Sequence, residues 1–298
     1  MKRSVVFLAM LLFSIPVLAA PGSTDEVWKA EEVFRSGGMA LDLAVGDLDQ
    51  DGVRDVMLLF PDRLELWFGE SDGFRFRYAF TLPDGDNPAA ALRIVAGDLL
   101  FCSASNGNGK PVLALATNRL PQGLRLRWNG RDLAAIGVVG GVPLACGENG
   151  FWFSRYESTG AQLVPELKHG SQTQNLPSPM LSLRKTGQGN WMAVQSDGTL
   201  FDLAANKPLT LECGAHPALV SSKDGEVLVC SNARIAPDAD GIRVFWLGKD
   251  GPEPDGASVE TPGWVQALAA AEEGKRWVVF AARFLPATKQ TLVERYMK

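Results

Sequence analysis

Short apolar runs recur along this chain in pairs, each pair split by a polar turn. The clearest pair is Met39–Val45 and Val56–Phe60, two aliphatic stretches of strand length bounded by turn residues. The same skeleton of apolar strand, small polar turn ending in glycine, and second apolar strand then returns. It is found as Leu92–Gly97 with Asn106–Leu115, Leu133–Ile136 with Gly140–Cys146, and Met180–Leu183 with Gly187–Val194. Two further copies are Ala218–Val220 with Lys223–Cys230 and Val265–Ala269 with Glu272–Phe280. The turn glycines Gly52, Gly109, Gly141, Gly189, Gly225 and Gly274 stand about 44 residues apart on average, the length of a four-stranded propeller blade. Third strands follow in several copies: Arg63–Phe68, Gly123–Trp128, Phe151–Tyr156 and Ile242–Trp246, each alternating large apolar with polar residues. Outer strands are fainter, at Phe74–Thr81 and Pro208–Leu211.

No long 3.6-residue period appears, so the pattern predicts an all-β chain, a β-propeller with six blades. The sixth copy ends at its third strand, Thr291–Tyr296, while a strand-like Val27–Phe34 precedes the first copy. A circular array with an incomplete last blade leaves unpaired edges. The segment from Trp28 to Phe34 is therefore predicted to supply the outer strand of the last blade and close the ring.

The first turn carries the densest chemistry. Asp47, Asp49, Asp51 and Asp55 occupy relative positions 1, 3, 5 and 9 of one tight loop, with Gly52 at position 6. Four carboxylates so close repel one another unless a cation sits among them, and Ca²⁺ takes six to eight oxygens where Mg²⁺ keeps several waters. The carbonyl of Val53 and a water complete the expected set. An EF-hand would need a glutamate at position 12, where Leu58 stands, and helices on both sides. A strand–DxDxDGxxD–strand hairpin resembles the FG-GAP/VCBS repeat of integrin-α-type β-propellers. That resemblance implies one structural Ca²⁺ that stiffens a blade, and allows seven blades as the alternative to six. The other turns depart from it: Asn106–Gly109 keeps neutral oxygens, and Lys223-Asp-Gly225 and Glu272-Glu-Gly274 keep one or two acids with a base nearby.

Residues 1–19 read as an export signal: Lys2 and Arg3, an apolar run from Val5 to Phe13, and Val17-Leu-Ala19 before the cut. The remainder, 20–298, reads as one domain, exported to a periplasm or the extracellular space and not inserted in a membrane. Without Lys2 and Arg3, 27 basic residues face 34 acidic ones, a net charge of −7. No run of Lys or Arg stands out, so nucleic acid and anionic membrane make poor partners. Four cysteines in an exported chain suit disulfides, and spacing favours Cys102–Cys146 and Cys213–Cys230 among the three pairings.

No nucleophile elbow, HExxH or CxxC occurs, and His169 and His216 fall in polar or turn contexts that suit surface residues. Trp67, Trp128, Trp152, Trp191, Trp246 and Trp277 recur at equivalent strand positions and suit packing between blades. Trp28 and Trp264, near strand starts, are the tryptophans expected to be exposed. The functions left are a non-catalytic binding or scaffold module for a protein or polysaccharide partner of the cell envelope, and a hydrolase or lyase acting on a glycan through central acidic residues.

Overall fold

The computed structural model describes residues 27–83, 96–103, 109–147, 150–157, 162–195, 197–214, 216–222, 225–234, 238–248, 251–273 and 276–297. The export signal at 1–19, the run 92–95 and the turn residues 106–108, 223–224 and 274 lie outside them. Among the described residues every regular element is a strand.

The chain enters through β1 (Val27–Gly37) and then lays down antiparallel sheets in succession. The first is β2 (Asp42–Gly46), β3 (Asp55–Leu59), β4 (Arg63–Glu70) and β5 (Gly73–Thr81). The second is β6 (Gly97–Cys102), β7 (Val112–Thr117), β8 (Gly123–Trp128) and β9 (Leu133–Val139). The third is β10 (Val142–Gly147), β11 (Gly150–Ser154), β12 (Glu166–His169) and β13 (Gln172–Asn175). The fourth is β14 (Ser182–Lys185), β15 (Trp191–Val194), β16 (Thr199–Asp202) and β17 (Lys207–Glu212).

After these come β18 (Ala218–Ser222), β19 (Gly225–Ser231), β20 (Ala239–Asp240), β21 (Ile242–Gly248) and β22 (Gly251–Ser258). The last are β23 (Thr261–Pro262), β24 (Trp264–Glu273), β25 (Arg276–Leu285) and β26 (Gln290–Met297). Eight of them form one sheet, ordered β18-β19-β21-β22-β1-β26-β25-β24, while β20 and β23 pair as a small ribbon. The eight-stranded sheet divides into two four-stranded halves, joined only where Val27 and Trp28 run parallel to Ala257 and Ser258.

The fold is a β-propeller. Among the described residues, counting the two halves with the four separate sheets gives six four-stranded units, called blades one to six in chain order. Their first strands β2, β6, β10, β14, β18 and β24 each lie against the next, and β24 lies against β2, so they encircle a central axis. As predicted, the N-terminal strand completes the last blade: β1 pairs antiparallel with β26 from Lys29 opposite Met297 to Gly37 opposite Gln290.

One copy was mis-phased by the sequence pattern. Leu133–Ile136 does not open blade three; it belongs to β9, the outer strand of blade two, and the residues between its two ends are exposed. Blade three opens with β10, and Phe151–Ser154 is its second strand, not its third. The apolar run resembles an inner strand in composition, but its place at the rim follows from the short turn after β8. In blade two the first described strand begins at Gly97, and residues 92–95 of the predicted run lie outside the described residues.

Because every blade presents apolar side chains on both faces, the core is a series of layers between blades. One layer joins blades one and two through Leu59, Leu66, Leu113, Leu115 and Leu126. Others join blades three and four, four and five, five and six, and six and one. At the boundary between blades two and three, among the described residues, blade two contributes only Ala116 to such a cluster. There the backbones approach directly: a Cβ at Gly123 would lie 2.3 Å from the carbonyl oxygen of Gly141. A disulfide, Cys102–Cys146, staples the ends of β6 and β10 across this same boundary. The second, Cys213–Cys230, joins blades four and five, so both pairings follow the spacing.

The tryptophans mostly fill the layers. Trp67 stacks on Phe34 at 3.9 Å between blades one and six, and Trp152 meets Trp191 edge-on at 5.6 Å between blades three and four. Trp28, expected at the surface, is instead 2% exposed, wedged with Val244 and Tyr296 between blades five and six. Its strand closes the ring, which turns an apparent terminus into core. Trp264 is half-buried against Phe284.

Candidate functional site

Two clusters of ionisable side chains stand out, the predicted acidic turn and a group at the centre of the ring. The turn joins β2 to β3. Gly52 there has φ of +90°, a conformation that costs a glycine little and other residues more. Asp47 folds inward and accepts backbone N–H groups from Asp51 at 3.1 Å and Gly52 at 3.0 Å. Asp49 accepts from Asp51 at 3.3 Å, and Asp51 accepts from Val53 at 2.7 Å. Asp55 is buried at the base of the turn, accepting from Leu48 at 2.7 Å and from Gly69 at 3.1 Å.

Oxygens of Asp47, Asp49 and Asp55 lie within 4.8 Å of one another, near enough for one ion. Asp51 stands outside this group, and the Val53 side chain is exposed. Burial pushes the Asp55 carboxyl up to about 7, with a smaller contribution from Asp49 and Asp51, while its two backbone donors oppose the rise. Burial and the neighbouring Asp51 and Asp47 also raise Asp49. Both shifts favour the protonated carboxyl, burial being the first cause and the neighbouring carboxylates a smaller one. This donor set of hard oxygens fits a calcium-type ion, which Asp47, Asp49 and Asp55 would hold.

The central group was not foreseen. Asp42 at the start of β2, Asp98 in β6, Arg184 in β14 and His216 just ahead of β18 converge from four blades. Arg184 lies 3.6 Å from the Asp42 carboxylate and 3.7 Å from that of Asp98, and its Nη2 is 3.3 Å from His216 Nδ1. His216 Nδ1 lies 3.8 Å from Asp42 and 3.7 Å from Asp98. From blade three, Tyr156 donates its hydroxyl to Asp98 Oδ2 at 2.8 Å. His216 is thus an interior residue and not the surface histidine its turn context suggested. His169 is partly buried and stacks on Trp152.

Asp42 also ties adjacent blades together. Its Oδ1 accepts from Leu43 at 2.8 Å, and its Oδ2 accepts from Leu99 of the next blade at 2.7 Å. Asp240 repeats the device between blades five and six, accepting from Gly241 at 2.8 Å and from Val265 at 2.9 Å. Burial raises the Asp98 carboxyl, opposed by His216 and Arg184, and leaves its Oδ1 without a hydrogen-bond donor. Burial beside Asp98 holds the Tyr156 hydroxyl well above its usual range. Asp42 and Asp98 are 0% and 2% exposed, so the pair is closed to a sugar-sized ligand.

No protein-family model and no curated protein matches the chain. Among solved structures it is similar to a chain of the crystal structure of a mitotic checkpoint complex, at 10% identity and TM-score 0.43, over 98% of this chain and 100% of that one. It is also similar to the β-propeller domain of Cps50 (Swd1) from Myceliophteria thermophila, at 12% identity and TM-score 0.44, over 85% of this chain and 82% of that one.

Proposed function

We propose that the chain is an exported, non-catalytic binding or scaffold propeller that engages a protein or glycan partner of the cell envelope or extracellular space, with one structural Ca²⁺ in the turn from Asp47 to Asp55. The observation that carries this reading is the state of the central acids. A glycoside hydrolase needs two carboxyl groups flanking room for a sugar and, in one class, a water. Asp42 and Asp98 are instead buried, bound by backbone N–H groups and Tyr156, and compensated by Arg184. Such carboxylates hold blades together; they have no access to a substrate.

The cation has a local role in this reading. Held by Asp47, Asp49 and Asp55, it supplies charge to a turn whose buried carboxyl otherwise takes up a proton. The test is affinity capture from the native envelope with and without a chelator, run beside a glycan-hydrolysis assay of the purified mature chain. A retained partner with no turnover is expected. Turnover abolished by Asp42→Asn or Asp98→Asn would refute the non-catalytic reading.

A further inference from the structure

The boundary between blades two and three differs from the others in its lining. Arg125 and Arg127 of β8 face it, and the Arg125 guanidinium lies 5.4 Å from the Phe151 ring centre of blade three. The Nε atoms of Arg119, Arg125 and Arg127 are buried without a hydrogen-bond acceptor. Among the described residues no carboxylate pairs with these three or with Arg131. Four uncompensated arginines within thirteen positions, 119 to 131, are unusual in a chain whose acids outnumber its bases.

The rim of the same blade is bare. Among the described residues β9 is the free edge of its sheet, and its exposed central residues are Ala134-Ala-Ile-Gly-Val138, with Ile136 37% and Val138 58% exposed. A free edge presents unpaired N–H and C=O groups, and proteins guard such edges with charge, proline or bulges. The other outer strands are charged, carry proline or, in β13, are wholly polar. β5 carries Arg75 and Arg77, β13 is Gln172-Thr-Gln-Asn175, β17 carries Lys207, Pro208 and Glu212, and β22 carries Glu253 and Pro254. A break in register occurs at β9, but also at β5, β17 and β22, so it does not replace the missing charges.

We propose that β9 is a docking edge for an extended segment of a partner protein that alternates acidic with apolar side chains and joins blade two as an added strand. The pairing of β8 with β9 sets the pattern: Arg127 stands opposite Ala134, and Arg125 opposite Gly137. Strands lie about 4.8 Å apart, less than the reach of an arginine. Over the small Ala134 and Gly137, both guanidiniums reach side chains of the incoming strand, where a carboxylate forms charge-assisted hydrogen bonds. The alternate side chains fall on the opposite face, over Val138, and are apolar. A second copy of this chain fits poorly, because twofold pairing of β9 with itself sets two pairs of arginines on one face. The inference rests on the reading of the chain as a binding module.

The test uses the mature chain and a short peptide alternating valine and glutamate, N-methylated along one edge so that only the other can pair. Fluorescence anisotropy reports affinity, and hydrogen exchange reports which amides the peptide protects. The valine–glutamate peptide is expected to bind about tenfold or more tighter than a valine–lysine counterpart, with protection confined to β9. Methylating every peptide nitrogen abolishes binding, and Arg127→Glu removes the preference for glutamate. Equal affinity for the lysine peptide, protection away from β9, or a self-associated dimer that protects β9 would each overturn the proposal. If the R125E/R127E chain still retains an envelope partner, the docking edge fails and the binding-module reading survives; no partner for either chain defeats both.

Discussion

Opening the Cys102–Cys146 disulfide should destabilise the ring more than its surface position suggests. The bond closes a loop of 44 residues. Loop-closure entropy for that length is about 4 kcal/mol at 25 °C, against about 3 kcal/mol for the 17-residue separation of Cys213 and Cys230. At this boundary, among the described residues, only Ala116 of blade two joins a buried apolar cluster with blade three, so the bond reinforces inner strands that lie side by side with little apolar burial between them. Cys146 is exposed and Cys102 half-buried, whereas Cys213 and Cys230 are buried. Mild reduction should therefore open the first bond before the second. With a denaturant slope of about 3 kcal/mol per molar urea, the loss moves the unfolding midpoint down by more than about 1 M. The assay is graded reduction, alkylation and mass mapping, followed by urea unfolding read by tryptophan fluorescence. A C102S/C146S variant provides an independent route to the same state. An unchanged midpoint in both, or earlier opening of Cys213–Cys230, would refute the reasoning.

Without a cation, folding stability should fall as pH rises from about 4 to about 7. The folded Asp55 keeps its proton to about 7 while the unfolded one loses it near 3.8, so the native state binds the extra proton and up to about 4 kcal/mol is lost across that window. Thermal melts with chelator should show this slope, and both millimolar Ca²⁺ and Asp55→Asn should flatten it; a slope that persists in Asp55→Asn disproves the assignment. Arg184→Met should cost about 3–5 kcal/mol, because it leaves Asp42 and Asp98 buried with less positive charge. Urea unfolding checks this, and a loss below about 1 kcal/mol would mean that His216 and Tyr156 suffice.

Local patterns carried the fold well where they were unambiguous. Arg63–Phe68 and Ile242–Trp246 alternate cleanly and are third strands, and the incomplete sixth copy correctly demanded Val27–Phe34 as its missing strand. Blade three was misread because Leu133–Val139 has the composition of a buried strand and the exposure of a rim strand. Composition does not encode which side of a ring a segment occupies. The acidic turn was legible because its residues are neighbours in sequence. Asp42, Asp98, Arg184 and His216 are separated by dozens of positions and belong to no motif. Only circular closure makes them adjacent, and a lone histidine before a proline gave no hint of it.

The pairing of β1 with β26 also fixes an order in time. A ribosome releases Val27 long before Gln290, so the strand made first waits for the strand made last. Throughout synthesis, Trp28 and Phe34 have no finished layer to enter, and the edge that will receive them does not yet exist. Contacts spanning nearly the whole chain slow folding and lengthen the life of exposed intermediates. The propeller therefore cannot be completed piecemeal from its N-terminus: its stability arrives late, when the final strand finds the first.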